Sequence, residues 1–147
     1  MWLLTPFKGV TWLTGGAGAG KSAIGRSVCE RCAEKRTLLA SFFFSASDAT
    51  RNHSNPLVAT IAYQICPIEA SIRRAVCNII DNDPHIFKKS LQAQFVFLVM
   101  KPLLTFYASG RQSLPRLIVI DGLDECVDPA GQSDIFNHES EELDVNR

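Results

Sequence analysis

Gly15-Gly16-Ala17-Gly18-Ala19-Gly20-Lys21-Ser22 is the stretch on which the reading of this chain turns. It matches G-x-x-x-x-G-K-[ST] at every fixed position, the pattern of a loop that wraps a phosphate. Upstream, Val10-Thr11-Trp12-Leu13-Thr14 is β-branched and aromatic and predicts a strand. Downstream, Ala23 to Lys35 carries few helix breakers and predicts a helix that starts near Gly20. Strand, glycine loop and helix form the context such a motif needs. Without Cβ atoms, successive glycine N–H groups can curl around a phosphate, and the helix start adds unpaired N–H groups and partial positive charge. Gly15, Gly16, Ala17, Gly18, Ala19, Gly20, Lys21 and Ser22 are the candidate nucleotide-binding residues. Lys21 is suited to the β/γ-phosphates and the Ser22 hydroxyl to Mg²⁺.

A second motif supplies the chemistry that a phosphate cradle lacks. Leu117-Ile118-Val119-Ile120 is a continuous apolar run and predicts a buried parallel strand. It ends in Asp121-Gly122-Leu123-Asp124-Glu125. Ligands of open α/β sheets bind beyond the carboxyl ends of the strands, so this acidic cluster and the glycine loop are expected to face one crevice. Asp121 is the candidate Mg²⁺ ligand alongside Ser22. Asp124 and Glu125 are the candidate acceptors of a proton from an attacking water, and with Lys21 they make up the candidate catalytic set.

Four apolar residues followed by Asp121-Gly122-Leu123-Asp124-Glu125 resemble the Walker B motif of NACHT-type STAND P-loop NTPases. Trp12-Leu13-Thr14-Gly15, Gly18-Ala19-Gly20-Lys21-Ser22, Ser41-Phe42-Phe43-Phe44-Ser45, Arg51-Asn52 and Thr60-Ile61-Ala62-Tyr63-Gln64 are similar to the NACHT domains of fungal NLR-like, nephrocystin-like proteins. The likeness covers residues 10–132. It implies a nucleotide-controlled switch that couples an N-terminal effector to C-terminal repeats, with self-oligomerisation in the complete protein. Two departures stand out. Gly16 occupies a position where the family usually has Pro, which loosens the loop. The resemblance also implies a sensor strand ending in arginine after the acidic motif. Beyond Gln132 this chain instead turns polar and acidic, and its only arginine after Arg116 is Arg147. The expectation is therefore a partial domain over 1–132, lacking effector, sensor strand and repeats, followed by an acidic, disordered tail over 133–147.

Composition fits one globular unit. At 147 residues, with 46% hydrophobic and 20% charged residues, the chain can bury a core and does not read as disordered. Zero net charge, without a basic stripe, argues against nucleic acid and anionic lipid as partners. Cys29, Cys32, Cys66, Cys77 and Cys126 are an odd, scattered set and read as reduced thiols of a cytoplasmic protein. Cys29 and Cys32 form C-x-x-C inside a helix without a second pair, a poor metal or redox signature. Met1-Trp2-Leu3-Leu4 is too short an apolar run for a signal peptide, and Lys101-Pro102 cuts Phe95 to Met100 far short of a membrane span.

Between the motifs the pattern is α/β. Leu38 to Ser45 predicts a second strand, Ser47 to Asn55 a loop, and Asn55-Pro56 a helix start with Leu57, Ile61 and Ile65 on one face. Ile68, Ile72, Val76, Ile79 and Ile80 predict the next helix, ended by Asn82-Asp83-Pro84. Ser90 is placed to cap a further helix carrying Leu91, Phe95 and Leu98, kinked or ended near Pro102. The expected fold is a three-layer P-loop NTPase with a parallel sheet of three strands, incomplete where the sensor strand belongs. The gap would expose backbone groups and apolar side chains, so the chain is expected to close it by rearranging, to be unstable alone, or to aggregate.

The functional expectation is a Mg²⁺-nucleotide-binding domain of a STAND/NLR-like switch. ATP is favoured over GTP because the guanine-reading N-K-x-D does not occur. The isolated chain is expected to bind nucleotide with little or no hydrolysis. Two alternatives are a P-loop small-molecule kinase, for which only Arg73-Arg74 hints at an arginine lid, and a non-catalytic interaction module that keeps the loop for folding.

Overall fold

A computed structural model describes residues 1–5, 9–12, 14–16, 18–110 and 117–128. Ala17 and the acidic tail over 133–147 lie outside the described residues. The element order is β1 (Trp2–Thr5), β2 (Gly9–Trp12), α1 (Lys21–Glu34), β3 (Leu38–Phe43), α2 (Asn55–Ile65), α3 (Ala70–Asn82), α4 (Leu91–Phe95), a π-helical turn (Val96–Met100), α5 (Lys101–Ala108) and β4 (Leu117–Asp121). Short 3₁₀ turns cover Ile86–Lys88 and Leu123–Glu125.

The chain is an α/β protein, but its sheet is mixed. Among the described residues, four strands run in the order β2-β1-β4-β3. β3 and β4 pair in parallel, with Phe42 opposite Ile120 and Phe43 opposite Asp121. β1 pairs antiparallel with both neighbours, Leu3 facing Thr11 on one side and Val119 on the other. The expected all-parallel, three-stranded sheet with an open slot is thus corrected. Residues 2–5 fill the slot between the strand that leads into the glycine loop and the strand that ends in the acidic motif. An unpaired central slot would strand backbone N–H and C=O groups, and an apolar segment next along the chain can satisfy them.

Strand alternation divides the sheet into two faces. Ala40, Phe42, Ile118 and Ile120 join the main core with Leu57, Val58, Ile61, Ile65, Ile72, Val76, Leu98 and Leu103 from the helices. Val119 is also fully buried but lies outside that cluster, on the face that carries Phe43 and Asp121. A Cβ added at Gly25 of α1 would lie 3.5 Å from the Phe43 ring and 3.8 Å from Asp121 Cγ. Helix α1 therefore covers the Phe43/Val119/Asp121 face, and α2 to α5 cover the other.

The helices follow the apolar spacing. Pro56 lies in the first turn of α2, where a missing N–H costs nothing. Ser90 caps α4 as expected, its Oγ accepting the Ala93 N–H at 3.2 Å. Ile68 precedes α3 rather than lying in it, and packs at the margin of the core. Pro102 does not end its helix. The path from Leu91 to Ala108 continues through a π-helical turn placed just before the proline. A proline lacks the N–H and crowds the carbonyl four residues back, and a wider turn there relieves both. By length and composition Leu91–Ala108 is apolar enough to cross a membrane. Its Leu98, Val99 and Leu103 are nonetheless fully buried and packed against α2 and α3, as in a core helix.

The outer edge of β3 is closed by a side chain. Ser41 N–H donates to Gln64 Oε1 at 3.0 Å, and Gln64 Nε2 donates to Ser41 O at 2.8 Å. One amide supplies the donor and acceptor that a neighbouring strand would otherwise supply.

Candidate functional site

The glycine loop enters α1 through a left-handed turn. Gly18 and Gly20 both have φ of 78°, a conformation that side-chain-bearing residues rarely adopt. Gly20 is the N-cap of α1 and offers no side chain, so it leaves the helix start open. The first α1 N–H to reach back into the loop is that of Ile24, on Gly20 O at 3.0 Å. The N–H groups of Ser22 and Ala23 have no partner among the described residues, as at a helix start that can receive an anion. Among the described residues, Cβ atoms built at Gly16, Gly18 or Gly20 would meet nothing within 4 Å. Lys21 folds its ammonium back onto the loop, donating to Gly15 O at 2.6 Å and Gly16 O at 3.0 Å. Those carbonyls hold the charge at the loop that an incoming anion would face. Ala19 N–H closes the turn on Gly16 O at 3.2 Å, and Ser22 is exposed.

The acidic motif lies at the end of β4. Asp121 is 2% exposed and sits under α1 beside Gly25, one helical turn beyond Ser22. The Met1 ammonium is 3.7 Å from its Oδ1. Gly122 turns the chain with φ of 71°, and a Cβ there would come within 2.9 Å of Phe44 O. The turn exposes Asp124 and Glu125 and buries Leu123. Asp124 has no partner among the described residues. Glu125 Oε2 accepts the Ala46 N–H at 3.0 Å.

That last contact belongs to a seam. The loop after β3 is stitched to the segment after β4 by Phe44 N–H to Asp121 O at 2.9 Å, Val127 N–H to Asn52 O at 2.7 Å and Ser54 Oγ to Asp128 Oδ2 at 2.6 Å. Asp48 organises the loop itself. Its Oδ1 accepts the Thr50 hydroxyl at 2.6 Å and the Thr50 N–H at 2.9 Å, and its Oδ2 accepts Arg51 Nε at 2.8 Å. The Thr50 hydroxyl first, then the Thr50 N–H and the Arg51 guanidinium, hold the Asp48 carboxyl down at about 2.

The structure thus brings Ser22, Asp121, Asp124 and Glu125 toward one end of the sheet, with the glycine loop and Lys21 at the start of α1. Asp48, Ser54 and Gln64 were missed from the sequence as structural partners. Asp48-Ala49-Thr50 carries a signal that could have found the first, an Asp two residues before a hydroxyl residue in a turn. Cys29 lies on α1 with burial as the main cause pushing its thiol up, against the weaker pull of Ser41. That direction opposes the lowered value of a reactive thiol. Arg73 and Arg74 are exposed on α3, in the layer across the sheet from α1.

A family model described as Nephrocystin 3, N-terminal, matches residues 1–146. No match is found among curated proteins or among solved structures.

Proposed function

The chain belongs to the Nephrocystin 3, N-terminal, family, and from that premise we propose that it is a NACHT-like nucleotide-binding domain of a switch protein, taking Mg²⁺-ATP. One observation carries the reading: an open glycine loop, with left-handed Gly18 and Gly20, runs into a helix whose second turn rests on the buried Asp121. The loop N–H groups and the start of α1 would receive the phosphates, and Lys21 would exchange the Gly15 and Gly16 carbonyls for phosphate oxygens. The Ser22 hydroxyl and Asp121 would hold Mg²⁺, which neutralises charge on the β- and γ-phosphates. Asp124 or Glu125 would accept the proton of a water in line with the γ-phosphate. The reading places the protein in the cytoplasm, as one part of a larger switch with effector and repeat regions and a capacity to self-associate. ATP remains preferred to GTP for want of N-K-x-D.

The kinase alternative loses ground because Arg73 and Arg74, its hinted lid, lie across the sheet from the glycine loop. An interaction module that keeps the loop for folding makes the opposite prediction from ours. Calorimetry with Mg²⁺-ATP decides between them: Lys21→Ala should weaken binding at least tenfold, about 1.4 kcal/mol. Equal affinities for wild type and variant, or no binding by either, would sink the nucleotide reading. Asp121→Asn should lower affinity only when Mg²⁺ is present, and equal loss in EDTA would remove Asp121 from the metal.

A further inference from the structure

We propose that Arg51 reads the terminal phosphate of the bound nucleotide, from a loop that hydrogen bonds lock to the acidic turn. The inference rests on the nucleotide-binding reading above and adds a residue to it. Because β3 and β4 are parallel, their carboxyl ends lie together, and Phe43 and Asp121 are register partners there. Gly25 of α1 sits against both, so the first turn of α1 and the glycine loop belong to the same end of the sheet. The segment from Phe44 to Ser54 leaves from that end. It is tied to the acidic turn by the Phe44–Asp121, Ala46–Glu125, Asn52–Val127 and Ser54–Asp128 hydrogen bonds. Its position relative to Asp121 is therefore set by contacts of its own.

Arg51 is the only lysine or arginine in this segment. Asp48 engages its Nε alone, at 2.8 Å, and the two Nη groups have no partner among the described residues. The Asp48 oxygens are otherwise committed to Thr50. The result is a guanidinium fixed at its stem with its fork open toward solvent, and a fork of that kind matches phosphate oxygens.

The test compares Mg²⁺-ATP and Mg²⁺-ADP affinities by calorimetry in wild type, Arg51→Ala, Arg51→Lys and Lys21→Ala, with thermal melts as the folding control. Arg51→Ala should weaken ATP at least fivefold and ADP less than twofold. Arg51→Lys, which keeps the charge but not the fork, should fall between. Lys21→Ala should weaken both nucleotides. If Lys21→Ala weakens both nucleotides while Arg51→Ala leaves the ATP-to-ADP ratio unchanged, nucleotide binding stands and the assignment of Arg51 is overturned. If Arg51→Ala lowers the melting temperature and weakens both nucleotides in proportion, Arg51 is only a loop brace and the proposal fails. No nucleotide binding by wild type overturns both readings.

Discussion

Gln64 acts as a one-residue strand for the outer edge of β3. Replacing it with Leu keeps the bulk and leaves the Ser41 N–H and C=O without partners, so Gln64→Leu should destabilise the protein by about 1–3 kcal/mol. Urea denaturation measures this, and an unchanged midpoint would mean that water replaces the amide without loss. Gly122 is constrained twice, by its left-handed φ and by Phe44 O at 2.9 Å from any Cβ. Gly122→Ala should cost about 2 kcal/mol and should show as a lowered melting temperature. Asp48 gives a pH prediction. Its folded value is depressed to about 2, so its contribution to loop order is fully present above the unfolded aspartate range near 3.8 and is lost as pH falls through about 2. An NMR titration should find the Asp48 carboxylate still ionised at about pH 3, and Thr50→Val should move its midpoint upward. At this scale the sequence showed the residues of the glycine loop and the acidic turn, because their chemistry is written in consecutive positions. It did not show Gln64 or Ser54, whose partners lie 23 and 74 residues away.

Among the elements, the long helix from Leu91 to Ala108 shows where local rules yield to packing. Pro102 argues for a break, yet the buried stripe of Leu98, Val99 and Leu103 holds both sides on one path against α2 and α3. The π-helical turn absorbs the missing N–H. Leu98 is fully buried, so Leu98→Ala should cost about 2–5 kcal/mol, well above an exposed position such as Leu104 on the same helix. Equal effects at the two sites would mean that this helix does not pack as described. The apolar spacing in α2 and α3 was legible in advance at Leu57, Ile61, Ile65, Ile72 and Val76, because a period near 3.6 places them on one face whatever covers it.

For the molecule as a whole, the arrangement of the sheet has the largest consequence. β2, which leads into the glycine loop, is held to the sheet by β1, and β1 is also the partner of β4. Leu3 pairs with Thr11 and Val119 at once. Leu3→Pro removes an N–H from a strand paired on both sides and should release β2 while leaving the β3–β4 pair intact. Hydrogen exchange should then rise across residues 9–12 with protection kept at 118–120. Uniform loss of protection would show that the sheet opens as one unit.

By itself the sequence determined the local, contiguous features. These are a strand, a glycine loop and a helix in order, an apolar strand ending in acid, helices of definite face, and helix starts marked by Pro56 and Ser90. Each rests on spacing within a few residues, where backbone sterics and side-chain period act directly. Only the tertiary structure decided which strands are neighbours. Residues 2–5 carry no pattern that says they will stand antiparallel between β2 and β4, because pairing depends on which edges the rest of the fold leaves open. The seam between the loop after β3 and the turn after β4 arose in the same way. Its donors and acceptors are mostly backbone groups, which every sequence contains and which become specific only when two distant segments arrive at the same end of the sheet.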